Sequence, residues 1–146
     1  MKTTSFLACT LLLMTTAAAA AEKVMVEVSN AWVRATVAGQ PVAGAYFDLR
    51  AQRSAKLIGV ASPVAKRGEI HEMKDDGGMM TMRAVDAVDL PAGKTVSLAP
   101  GGLHVMLFGL SEPLAAGRKV PLTLEFRGDS GGVFKQIVVI PVKAVD

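Results

Sequence analysis

The chain has 146 residues, 51% hydrophobic but only 5% aromatic, and 16 basic against 13 acidic side chains give a formal net charge of +3. That length encloses one core. The scattered charges exclude the concentrated basic surface of a nucleic-acid or anionic-membrane binder, and the shortage of aromatics excludes base-stacking platforms.

Residues 1–21 read as a secretory signal peptide. Lys2 supplies the positive end, Phe6 to Met14 the apolar segment, and Ala17 to Ala21 the small-residue cleavage region. Cleavage after Ala21 leaves residues 22–146 as a single exported domain with a formal charge of +2 once Lys2 is gone, 15 basic against 13 acidic. A retained membrane anchor is the competing reading, disfavoured because Thr10, Thr15 and Thr16 interrupt the run and a span needs about 20 predominantly apolar residues. A lipoprotein is a third reading, but Cys9 lies ahead of most of the apolar run. Cys9 is also the only cysteine. The exported domain therefore has no disulfide and no thiolate ligand, which excludes a blue-copper electron-transfer centre.

The rest reads as β-strands between turns. Lys23 to Val28 and Ala31 to Thr36 are strand-like on either side of Ser29-Asn30, followed by a turn at Gly39-Gln40-Pro41. Gly44 to Leu49 and Lys56 to Val60 come next, then Glu69 to Lys74 and Met79 to Val85 around Asp76-Gly77-Gly78. Thr95 to Leu98 follows the turn Leu90-Pro91-Ala92-Gly93-Lys94, and Pro100-Gly101-Gly102 leads into a strand at Leu103 to Phe108. Ser111 to Gly117 reads as a short helical turn or a loop. Val120, Leu122, Leu124 and Phe126 alternate with polar residues as a half-buried strand, and Val133 to Val142 is the longest and most apolar run. Short strands at this spacing without a long helical period predict an all-β, antiparallel sandwich.

Chemistry concentrates between His71 and Met106. That stretch holds both histidines and five of the six methionines outside the leader: Met73, Met79, Met80, Met82 and Met106. Imidazole and thioether without thiolate form a ligand set suited to Cu(I). His104 and Met106, two apart on a strand, leave the same face. His71 and Met82 flank Asp76-Gly77, and a two-residue turn centred there sets His71 across from Met82, Met73 across from Met80 and Glu72 across from Thr81. Gly78 leaves a one-residue slip open, which would turn Met82 to the other face. Met73 and Met80 read equally as core or as a second layer of sulfur. Met25 and Met79 read as packing, since methionine commonly fills gaps in cores. Trp32, the sole tryptophan, reads as a core ring, or else as a lid over a cation. Arg34 and Arg83 read as ordinary surface charges.

His71, ten intervening residues, Met82, twenty-one more, then His104-Val105-Met106 resembles the copper signature of the periplasmic copper chaperones called PCu(A)C. The phrases Gly78-Met79-Met80-Thr81-Met82-Arg83 and Pro100-Gly101-Gly102-Leu103-His104-Val105-Met106-Leu107 are similar as well. The resemblance implies a Greek-key, cupredoxin-like fold and a periplasmic location. It implies Cu(I) held by His71, Met82, His104 and Met106, and a non-enzymatic, monomeric carrier. The implied acceptor is the copper centre of cytochrome c oxidase during assembly, through subunit II or another assembly factor. A copper-sequestering or copper-resistance protein is the alternative. A haem or copper enzyme is disfavoured, because no C-x-x-C-H motif and no acid, base or nucleophile constellation accompanies the histidines. A plain secreted sandwich with methionines in its core is the remaining reading.

Overall fold

The computed structural model describes residues 25–144. The segment read as a leader, with Cys9 and the boundary at residue 21, lies outside the described residues. Ten strands follow one another: β1 Val26–Arg34, β2 Val42–Ala51, β3 Ala55–Ala61, β4 Ala65–Asp75, β5 Met80–Ala84, β6 Val88–Leu90, β7 Thr95–Leu98, β8 Leu103–Leu110, β9 Lys119–Gly128 and β10 Val133–Lys143. The all-β expectation holds, and Ser111 to Gly117 forms a loop rather than a helical turn.

Alternation dictates the strands. Along β9, Val120, Leu122, Leu124 and Phe126 are fully buried, while Pro121, Thr123 and Glu125 between them are half-exposed. One side of the strand therefore faces a core and the other faces solvent. Each fully buried aliphatic or aromatic side chain of this kind contributes about 1.5–3 kcal/mol. The neighbour order is β5-β4-β8-β2-β1-β10-β9-β3-β6, with β7 paired to β2. β5, β4, β8, β2 and β1 make a front layer, and β10, β9, β3 and β6 make a back layer. Phe47 and Leu107 from the front and Leu57 and Phe126 from the back meet in one core.

The layers are joined at one seam by β1 and β10, which run parallel through Val33↔Val142 and Arg34↔Lys143. The sandwich is therefore mixed at this seam, where the last strand enters beside the first in the same direction. All the other pairings are antiparallel.

Several local expectations change. The two strand-like runs before the first turn are a single strand, β1, with a register shift between Ser29 and Trp32. Asn30 takes a positive φ of 51° there, and its Nδ2 donates to Asp48 Oδ2 at 2.8 Å. Hydrogen bonds from Asn30 and then Ser97 hold the Asp48 carboxyl below its usual value. β6 has only three residues, too few to show a period. Met25 and Met79 do not pack into the core, being 58% and 69% exposed. Each immediately precedes a strand, Met25 before β1 and Met79 before β5.

At the opposite edge β3 packs against β4. Gly68 permits this approach, because a Cβ there would overlap the Val60 carbonyl oxygen. Gly68→Ala is expected to destabilise the fold by about 1–3 kcal/mol, the usual cost of overpacking. Urea denaturation measures it, and an unchanged midpoint would contradict the packing of β3 on β4.

Candidate metal centre

The pairing of β4 with β8 sets His71 directly across from His104, and their ring centroids are 6.0 Å apart. The adjoining residues Ile70 and Val105 point into the core. The two imidazoles therefore project from the outer face of the front layer, away from the interior of the sandwich. Even so, His71 is only 8% exposed and His104 only 6%. Side chains on the same outer face cover them: the Phe108 ring lies 5.9 Å from His71, and the Tyr46 ring 6.4 Å from His104.

Met82 arrives on the β4–β5 hairpin, whose register differs from expectation. His71 is opposite Ala84, Met73 is opposite Met82, and Asp75 is opposite Met80. The central turn residues are Gly77 and Gly78, with φ of 71° and 92°, closed by the Asp76 N–H donating to the Met79 carbonyl at 2.9 Å. A type I′ turn needs positive φ at both central positions, and two glycines supply it without the steric cost that Asp76 would incur. The Asp75 carboxylate also accepts from the Gly78 N–H at 2.7 Å. Moving the turn by one residue moves the pairing by two, so Met82 stays on the face of His71. Its Sδ lies 3.3 Å from His104 Nε2.

Met106, two residues beyond His104, leaves the same face. With His104, Met73, Gly44, Tyr46 and Arg34 it lines an open depression of about 420 Å³. Gly44 pairs with Met106, and the Tyr46 hydroxyl lies over Gly44, only 2.7 Å from where a Cβ would stand. Trp32 is half-buried rather than core. It packs on Tyr46 with centroids 4.6 Å apart, so Tyr46 stands between it and His104. Met73 and Met80 are on the outer face with the histidines and not in the core. Arg83 lies on the opposite face, paired with Glu72 at 2.9 Å.

Each histidine has one ring nitrogen held and one free. His71 Nε2 is 2.8 Å from Glu69 Oε2; a carboxylate only accepts, so Nε2 carries the proton. His104 Nδ1 is 2.9 Å from the Gly102 carbonyl oxygen, which likewise only accepts. Lone pairs remain on His71 Nδ1 and His104 Nε2. Among the described residues, His71 Nδ1 is the buried side-chain nitrogen or oxygen without a hydrogen-bond partner. A carboxylate or carbonyl behind each ring is the usual support of a metal-binding histidine. Glu69 is itself anchored by Arg67 at 2.6 Å. The His71 hydrogen bond first, helped by the Arg67 charge, keeps its carboxyl below the usual glutamate value. Sequence reading missed Glu69 and Gly102, although both stand two residues before a histidine, the strand spacing that shares a face.

The donor set fits a soft ion. The bond lengths known for zinc, about 2.0 Å to imidazole nitrogen and about 2.3 Å to thiolate sulfur, put two donors of a tetrahedral site about 3.5 Å apart. The 3.3 Å between His104 Nε2 and Met82 Sδ therefore lets both reach one ion of similar size. Among the described residues no group of three or more His, Cys, Asp or Glu side chains could hold a metal.

The family described as putative lipoprotein LpqE-like matches residues 26–138. The chain belongs to the LpqE-like family. A putative lipoprotein, Lxx21020 of Leifsonia xyli subsp. xyli, is 40% identical over 121 residues, covering 81% of this chain and 69% of the relative. Among solved structures, the copper-bound PCuAC domain from PmoF2 is 28% identical with a TM-score of 0.65, covering 82% of this chain and 93% of that domain. Apo-DR1885 from Deinococcus radiodurans is 31% identical with a TM-score of 0.61, covering 99% and 97%. The Cu(I) form of DR1885 is 31% identical with a TM-score of 0.50, covering 77% and 75%. The LpqE-like chain thus has the cupredoxin-like fold of PCuAC domains, as its signature implies.

The tautomers are directly measurable in this LpqE-like protein. Nitrogen-15 spectra of the metal-free protein at mildly alkaline pH are expected to show the proton on Nε2 of His71 and on Nδ1 of His104. The reverse assignment at either ring would remove the free donors described above.

Proposed function

We propose that this LpqE-like protein is an exported copper carrier that holds Cu(I) with His71, Met82, His104 and Met106. It then passes the ion to an acceptor by ligand exchange. The observation that carries the reading is the 3.3 Å approach of His104 Nε2 to Met82 Sδ, from strands far apart in sequence, beside a second imidazole with an unpartnered nitrogen. Two neutral imidazoles and two neutral thioethers suit Cu(I) by softness and bring no charge that would hold the ion irreversibly. The solved copper-bound PmoF2 domain and Cu(I)-DR1885 support copper as cargo. The lipoprotein descriptions of the family and of the Leifsonia relative support export. Among the described residues no helix is long and apolar enough to cross a membrane.

The carrier reading is favoured over permanent sequestration by the exposure of Met82, which stays 50% accessible while both imidazoles are shielded. The bound ion can therefore be reached by an acceptor's donors on the Met82 side without opening the fold. The site has a binder's parts rather than a catalyst's, since the one carboxylate touching it, Glu69, is engaged by His71 and Arg67. On this reading the protein works as a monomer in the periplasm. The PCuAC likeness suggests cytochrome c oxidase as the destination, with the ion entering its copper centre on subunit II directly or through another assembly factor.

Replacing His104 and Met106 together with alanine is expected to abolish tight Cu(I) binding in a competition titration while circular dichroism stays that of the native sandwich. Retained affinity would end the four-ligand proposal. Glu69→Ala, which frees the His71 ring without removing a ligand, is expected to weaken Cu(I) binding by about 10–100-fold, the usual effect of losing such a support. The same titration measures it, and an unchanged affinity would mean that Glu69 does not orient His71.

A further inference from the structure

We infer that Met73 is a fifth copper donor outside the resident set, and that the sulfur pair it forms with Met82 is the port through which Cu(I) enters and leaves. The inference rests on the Cu(I) reading above and deepens it.

The hairpin register puts Met73, not His71, directly across from Met82, where cross-strand side chains have Cβ atoms about 4.5–5.5 Å apart. Met73 is neither in the hydrophobic core nor among the residues packed against it, so its thioether has no structural duty to the interior. It lines the same depression as His104 and Met106. Its backbone is tied to the site as well: the Gly102 carbonyl that accepts from His104 Nδ1 at 2.9 Å also accepts the Met73 N–H at 3.2 Å. One oxygen thus fixes both the orientation of the His104 ring and the place where the Met73 side chain departs.

Exposure falls along this face from the tip of the hairpin inward. Met80 is 54% exposed, Met82 50% and His104 6%. A copper ion approaching from solvent meets thioether sulfur before imidazole, and on leaving it meets thioether last. An ion with four donors leaves only if one bond is replaced by another. Met73 can supply that replacement: a Cu–S bond to Met73 forms as the bond to Met106 breaks. The ion stays Cu(I), no electron moves, and neither thioether has a proton to release. With Met73 and Met82 holding it at the hairpin, the acceptor's donors can displace the two histidines in turn.

Met73→Leu tests this, because leucine conserves volume and removes the sulfur. In the Cu(I)-loaded protein the variant is expected to keep the wild-type equilibrium affinity and the same count of nitrogen and sulfur neighbours by X-ray absorption. Release to a chromophoric Cu(I) chelator, followed by stopped flow, is expected to slow by about tenfold, the effect of losing about 1.4 kcal/mol in the transition state. Met79→Leu, in the turn, is expected to leave the rate unchanged. An unaltered release rate in Met73→Leu overturns the inference. So does a loss of affinity as large as that of Met82→Leu, which would make Met73 a resident ligand. If the wild-type protein binds no Cu(I), the proposed function itself fails, a result distinct from either of these.

Discussion

The arrangement depends on one antiparallel pairing, β4 against β8, in which His71 and His104 occupy facing positions. Antiparallel partners share a face by geometry, so this register alone puts two imidazoles side by side with centroids 6.0 Å apart. The Gly102 carbonyl then links the register to the chemistry. It closes the ladder with the Met73 N–H and takes the Nδ1 proton of His104, leaving Nε2 facing Met82. A slip in this pairing would misplace the rings and also detach the Met73 N–H from the carbonyl that holds the His104 ring.

The site is built on the outside of a sheet whose inside is committed to the core. On β8, Val105 and Leu107 are fully buried while His104 and Met106 face outward; on β4, Ile70 points inward between Glu69 and His71. Because strand faces alternate, donor residues can change without opening a cavity between the layers. Stability and metal chemistry are thus carried by different side chains of the same strands, and the β5 arm contributes to one and not the other: all five of its residues are exposed.

This division also explains what could be read from the sequence. The strands with clear alternation, such as β9, were legible because burial on one side imposes a period of two. β6, with three residues, has no period to detect, and the parallel seam between β1 and β10 joins residues more than a hundred positions apart, which no local pattern encodes. At the site, the four proposed ligands were legible as soft donors at strand spacing. The hairpin register was not, because Asp76-Gly77 and Gly77-Gly78 both make acceptable turns by composition, and only the demand for positive φ at both centres separates them. The face survived the error because a two-residue offset preserves parity. What changed was the partner, and that change takes Met73 out of the ambiguity between core and sulfur layer. Glu69 and Gly102 were hidden for another reason, since a supporting carboxylate or carbonyl has no motif until the pairing orients the ring it supports.

The cover over the histidines gives the site a direction. Phe108 flanks His71, with the Arg67 guanidinium 4.7 Å above its ring, and Tyr46 flanks His104 with Trp32 packed behind it at a tilt. Gly44 makes room for this, since any side chain there would meet the Tyr46 hydroxyl. These aromatic groups shield the imidazoles along the sheet, while on the hairpin side the neighbours of His104 are flexible, half-exposed methionines. Thioether side chains reorient easily and tolerate both water and apolar surroundings. Exchange on that side therefore needs only side-chain rotation, whereas on the aromatic side it would require moving packed rings.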